Sequence, residues 1–202
     1  AVDHTTARGE CDAAVVAAKS LPTLLEQAAA AGKSPGVVST ARITHATPAA
    51  NYAHTPVRDW EADANLPAGC GVKDIARQLI EVNPAVKKSL KVVLGGGRDF
   101  FRKETDVDPE YPTKMGLRKD GRDLTAEWVT TRGSTAQFVS DKAGFDAAPT
   151  STYLLGLFER SHMQYEADRA TDTAGEPSLT EMTAKAVEML KLVGIPSPEE
   201  RV

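Results

Sequence analysis

The residues best suited to chemistry are Thr44-His45-Ala46-Thr47-Pro48-Ala49, followed shortly by Arg58-Asp59-Trp60. An imidazole, a hydroxyl and a guanidinium suit an oxyanion or a hard cation: the planar fork of arginine matches paired oxygens, and hydroxyl oxygens ligate hard ions. His45 and Thr47 stand two positions apart, so an extended backbone would point both the same way. Residue types alone do not separate this reading from a histidine and an arginine standing on a loop surface. Other motifs fall short. Gly32-Lys33-Ser34 resembles the end of a phosphate loop, but the upstream glycine that such a loop needs is Gln27, inside an alanine-rich stretch. Gly95-Gly96-Gly97-Arg98 reads as a tight strand exit, or as a place where backbone amides approach an anion. No H-E-x-x-H, G-x-S-x-G or paired C-x-x-C occurs, so no complete catalytic set is visible.

The elements that must hold these residues alternate. Residues 11–31 carry Val15, Val16, Leu21, Leu24, Leu25 and Ala28 at helical spacing, with a break at Pro22 and Ser20 as the cap of the fresh turn. Gly32 ends that helix, and residues 36–40 read as a short buried strand. A second unit follows, with a helix over 72–81, Pro84 as its stop and a strand over 91–94. Helix, glycine and β-branched strand, repeated, predict an α/β fold with a mostly parallel sheet flanked by helices. His45 and Thr47 then lie just past the carboxyl end of a strand, where such sheets place their sites.

Residues 102–122 are rich in charge, Pro and Gly and read as a surface excursion. Residues 123–132 predict a helix anchored by Trp128, residues 153–158 a buried strand, and residues 168–176 a polar connector. Ser178-Leu179-Thr180-Glu181 matches a capping box, and the helix it opens carries Met182, Ala186, Met189, Leu190 and Val193 on one face.

With 41% hydrophobic and 26% charged residues, the 202-residue chain has ordinary globular usage, and a single domain over 1–202 accounts for it. A net charge of -4 without a basic block argues against a nucleic-acid partner. No apolar run is long enough to cross a bilayer. Ala1-Val2-Asp3-His4 lacks the pattern of a secretion signal, so a signal has been removed or the chain begins within a longer protein. Cys11 and Cys70 have no ligand-like neighbours for zinc. They are either two buried thiols or one disulfide, which would place the protein in an oxidising compartment.

The blocks Val37 to Ala49, Tyr52-Ala53-His54 and Arg58-Asp59-Trp60 resemble the alkaline phosphatase family. So do Lys73 to Leu79, Val93 to Arg98, Asp108-Pro109-Glu110-Tyr111-Pro112, Leu155 to Glu159 and Pro177 to Thr183. They occur in family order up to Leu190 and follow the animal and animal-like bacterial branch. The resemblance implies a three-layer fold, here incomplete at both ends, and hydrolysis of small phosphate monoesters by a serine nucleophile with two zinc ions and one magnesium. Thr47 matches a magnesium ligand, His45 a residue beside that metal, and Arg58 the arginine that holds two phosphate oxygens. Glu110, the Phe158 carbonyl, Glu159 and Glu176 match the ligands of a further structural cation, calcium. Position 176 is usually aspartate, and these acids otherwise read as a solvated loop.

The resemblance also places the serine before Ala1 and the zinc motifs beyond Val202, so the expectation is an internal fragment, inactive when isolated. Residues 194–202, with two prolines and a charged run, depart from the family pattern. The intact parent is expected to be a homodimer that is extracellular, periplasmic or anchored on an outer membrane surface. The competing reading is a non-catalytic metal- or anion-binding remnant. A phosphomutase or sulfatase relative is disfavoured by His45-Ala46-Thr47-Pro48-Ala49.

Overall fold

The computed structural model describes residues 1–191, so Val193 and the divergent stretch 194–202 lie outside the described residues. Four parallel strands form one sheet: β1 (Gly36–Arg42), β2 (Val92–Gly96), β3 (Ala136–Val139) and β4 (Tyr153–Leu157), in the order β1-β2-β4-β3. Side chains alternate across a strand, so each strand feeds two cores. Val93, Leu155 and Leu157 face one core with Leu25, Leu79, Ile80 and Trp128. Those partners come from α2 (Leu24–Ala30), α4 (Ile75–Ile80) and α6 (Leu124–Arg132). Val92, Leu94 and Leu154 face the other core with Phe145, Met182, Ala186 and Met189. These belong to α7 (Lys142–Ala147) and α8 (Leu179–Lys191). Helices on both sheet faces give the helix-flanked parallel sheet expected from the alternation.

The remaining helices are α1 (Ala13–Ala18), α3 (Ala46–Ala49) and α5 (Pro84–Ser89). Caps explain where several helices start. Ser178 Oγ accepts from the Glu181 amide at 3.2 Å and the Glu181 carboxylate accepts from the Ser178 amide at 2.8 Å, the reciprocal box expected at the head of α8. Trp128 is fully buried on α6, and its indole donates to the Tyr153 carbonyl at 3.3 Å.

Four expectations need correction. Ser20 caps nothing: its hydroxyl donates to the Val16 carbonyl, while Asp12 caps α1 and Thr23 caps α2 with Glu26 closing the box. The chain gains two bonds by starting α2 at Thr23, which a start at Ser20 would not supply, and Leu21 and Leu24 are left exposed. Pro84 does not only stop a helix; it opens α5 in the first turn, where its missing N–H costs nothing, under the Asn83 cap. β3 and α7 had no periodic signal, since Ala-Gln-Phe-Val is short and mixed.

The fourth concerns residues 102–122, which contain no helix or strand but are not merely superficial. Arg118 is fully buried, bonded twice to Asp74 at 2.9 and 3.0 Å, and Arg98 is likewise bonded to Asp108 at 2.8 and 2.9 Å. Paired charges are the form in which ions tolerate burial, so they bolt the excursion to the domain.

Cys11 and Cys70 form a disulfide with Cα atoms 4.8 Å apart, and no cysteine is free. It adjoins a small apolar cluster of Val16, Trp60 and Val72, which anchors the loop after α3. Among the described residues no helix is long and apolar enough to cross a membrane.

Candidate functional site

β1 ends beside β2, where the Ile43 amide donates to the Gly96 carbonyl at 3.0 Å. The turn is fastened by buried Tyr52, whose hydroxyl donates to the Ile43 carbonyl at 2.9 Å. Burial pushes the Tyr52 phenol well above its ordinary pKa, with Glu61 and Asp74 adding to the effect, so it remains a donor. His45 then takes the cap position of α3 with extended backbone, and helix begins at Ala46.

That helical start separates the two residues expected to share a direction. Helical side chains turn by about 100° per residue, so the alternation of a strand does not apply past His45. Thr47 is exposed and lines a hollow of about 460 Å³ with Val38, Ser39 and Asn51. Arg58, also exposed, lines a different hollow of about 250 Å³ with Ala46, Ala50, Pro56 and Ile75. His45 and Arg58, by contrast, are brought together: Arg58 Nη2 lies 2.9 Å from His45 Nε2. Arginine only donates, so Nε2 must accept and the ring proton sits on Nδ1. That nitrogen is buried without a partner. Among the described residues this is the one hydrogen bond of the Arg58 guanidinium.

Sequence reasoning missed the groups behind this pair. Arg42 is bonded twice to Glu61, at 2.9 and 2.8 Å, and the Thr44 hydroxyl donates to the same carboxylate at 2.6 Å. His162, from the turn after β4, accepts the Arg42 amide on Nδ1 at 3.2 Å, and its Nε2 lies 2.8 Å from Arg42 Nη1. Its ring stands edge-on to His45 with centroids 5.3 Å apart. Burial lowers the His162 pKa, and the Arg42 charge lowers it further, both favouring the uncharged ring. No local pattern marks these residues; His162 lies 120 positions from Arg42.

A second constellation forms at the same end of the sheet. Glu110, Glu159 and Asp172 offer carboxylate oxygens all within 4.8 Å of one another. Glu176, only 1% exposed, joins their field: its Oε1 accepts the Gln164 amide at 2.8 Å and its Oε2 has no partner. Glu110 Oε1 and Asp172 Oδ2 are also buried without partners. Glu159 is better satisfied, by the Tyr111 hydroxyl at 2.6 Å and the Gln164 amide group at 2.9 Å. Arg98 donates to Glu110 at 3.1 Å.

One arginine does not balance four acids. Burial first, then the neighbouring Asp172 carboxylate, pushes Glu110 up to about 7 despite Arg98. Burial also pushes Glu176 to about 7, opposed by the Gln164 amide and assisted by the charges of Asp172, Glu159 and Glu110. Orphaned oxygens and depleted positive charge are what a hard, oxygen-seeking cation would satisfy. Phe158 is buried immediately before Glu159. Asp172 lies in the stretch that reads as a polar connector, and its one signal in the sequence is a carboxylate shortly before Glu176. No other group of three or more His, Cys, Asp or Glu among the described residues has metal-holding spacing, so Thr47 brings no such set with it.

Comparison with known proteins adds an independent line. The sequence model of the alkaline phosphatase family matches residues 5–193. The tissue-nonspecific alkaline phosphatase of Gallus gallus is 41% identical over 183 residues, covering 86% of this chain and 34% of that protein. The alkaline phosphatase of Gadus morhua is 42% identical over 178 residues, covering 84% of this chain and 36% of that protein. The crystal structure of the Thermus thermophilus alkaline phosphatase superposes with a TM-score of 0.61 at 31% identity, covering 83% of this chain and 29% of that one. The chain thus spans about a third of the length of the curated relatives it matches.

Proposed function

We propose, for a chain that belongs to the alkaline phosphatase family, that the whole protein hydrolyses phosphate monoesters and that this segment supplies the grip on the phosphoryl group. The observation that carries this reading is the Arg58–His45 pair: a guanidinium fixed by one nitrogen, exposed otherwise, at the carboxyl end of a parallel sheet. Two oxygens of a phosphate match the remaining fork, and the charge there stabilises the transition state.

In this reading Thr47 is a magnesium ligand and His45 stands beside that metal. The other magnesium ligands, the serine nucleophile and the ligands of two zinc ions belong to the remainder of the whole protein. Bound zinc would supply charge that favours the ionised serine and the departing oxygen. This chain's own residues bind and orient: Arg58 holds the phosphoryl oxygens, His45 holds Arg58, and exposed Thr47 lines the hollow along β1.

Hydrolysis of p-nitrophenyl phosphate at alkaline pH, with zinc and magnesium added, tests the proposal. Turnover is expected from the whole protein and none from the isolated chain. Zinc-dependent turnover by the isolated chain would overturn the assignment of nucleophile and zinc ligands elsewhere.

A binding role for the chain by itself has its own support, because the acid cluster is contained within the described residues. Calcium is the fitting ion, held by Glu110, Glu159 and Glu176 with the Phe158 carbonyl, and Asp172 adds a carboxylate. A ligand present at a hundred times its dissociation constant stabilises by about 2.7 kcal/mol. For a domain this size that corresponds to a rise in melting temperature of roughly 5–10 °C. Calcium should raise the melting temperature of the chain accordingly, and the Glu159→Gln, Asp172→Asn double variant should lose the shift. An equal shift in both proteins would remove calcium from this cluster.

The disulfide supports an oxidising compartment, outside the cell or in a periplasm, with or without an anchor on the outer membrane surface. A homodimer is proposed for the whole protein, with small phosphate monoesters as its partners in the active site.

A further inference from the structure

The Arg58 guanidinium leans on His45, and His45 in turn has nothing to fix its ring except what packs on it: its Nδ1 is buried and unbonded. The group standing against that ring is His162, edge-on at 5.3 Å with planes inclined by 68°. His162 is itself held by Arg42, whose backbone amide donates to Nδ1 at 3.2 Å and whose guanidinium is locked by the paired bonds to Glu61. The turn that carries it is also rigidly seated. The Gly97 and Arg98 amides both donate to the Glu159 carbonyl at 2.9 Å, and the Met163 amide donates to the Thr40 carbonyl at 2.9 Å. Gly96 permits this seating, because a Cβ there would collide with the Ser161 carbonyl.

We propose that His162 is a positioning residue for phosphate binding, acting through His45 on Arg58. The inference rests on the reading of Arg58 as the phosphate grip. A long arginine side chain loses rotamer freedom when fixed, so an arginine already held by a buttressed imidazole is pre-organised for its oxyanion. Without the His162 ring, the His45 ring can rotate, and its Nε2 no longer stays aligned with the Arg58 fork. Arg42 and Glu61 are the frame and do not reach the phosphate; His162 transmits their rigidity.

A double-mutant cycle in the whole protein tests this, read as competitive inhibition by inorganic phosphate and as KM against kcat for p-nitrophenyl phosphate. His162→Ala is expected to weaken phosphate about ten- to a hundredfold, the range for a binding group that is misplaced but present. In an Arg58→Ala background the same substitution should change phosphate affinity by less than about twofold, because residues acting in series are not additive.

A His162→Ala effect of the same factor in both backgrounds, or no effect in either, would overturn the proposal. His162→Asn keeps an acceptor for the Arg42 amide but removes the ring edge, so it guards against a misfolded alanine variant. It is expected to weaken phosphate as alanine does, and undiminished affinity in that variant would also overturn the proposal. The Arg58→Ala control separates the two levels. If it leaves phosphate affinity unchanged, the reading of Arg58 fails; if it acts while the cycle is additive, only the role of His162 fails.

Discussion

Arg58→Ala in the whole protein is expected to lower kcat/KM for a phosphate monoester by about 10²–10³, the scale for losing one pre-organised donor to transition-state charge. Phosphate inhibition should weaken in parallel, since in the proposed role the guanidinium meets oxygens that inorganic phosphate also carries. The structure makes the effect specific to this arginine. Arg42, Arg98 and Arg118 are each committed to carboxylates by paired bonds. Arg58 has one bond, to the His45 imidazole, which leaves its other donors available. Arg58→Lys should recover little, because an ammonium cannot reach two phosphate oxygens and His45 in one plane. Steady-state kinetics with phosphate as competitor decides the point: unchanged kcat/KM and unchanged inhibition in the alanine variant would refute the assigned role.

The second large effect is on stability. Replacing both Cys11 and Cys70 by serine is expected to cost the chain roughly 4 kcal/mol, because the bridge closes a loop of 59 positions and so removes freedom from the unfolded chain. The loss acts on the site as well as on the fold. The bridge sits beside Trp60, which is 5% exposed and lies between exposed Asp59 and the buried Glu61 that locks Arg42. A backbone bond from the Gly71 amide to the Cys11 carbonyl at 3.0 Å supports the same junction. Urea unfolding of the oxidised chain and of the serine variant measures the difference. Coincident unfolding curves would show that the small core around Trp60 holds without the bridge.

Local chemistry wrote several features plainly. Ser178 and Glu181 had to meet, because a helix terminus leaves amides that only such side chains can reach. Val92 to Leu94 had to be covered on both faces, since an unbroken apolar run in a parallel strand offers no wet side. Gly97 marks a strand exit because its backbone takes φ of 97°, a region that a side chain disfavours. The ordered blocks around His45 and Arg58 carried the family. The two Cys side chains were legible as a pair only in alternatives, buried thiols or a bridge, and the folded geometry chose the bridge.

From the sequence alone, then, came the parallel α/β architecture, the starts of α6 and α8 and the identity of the family, because periodicity, caps and motifs act between near neighbours. The tertiary structure alone placed His162 against His45, gave Arg42 its Glu61 partner, added Asp172 to the acid cluster and set Thr47 and Arg58 in separate hollows. Those relations depend on where the ends of different strands and their connectors converge. Convergence is set by sheet register and packing summed over the whole domain, and no short stretch of residues encodes it.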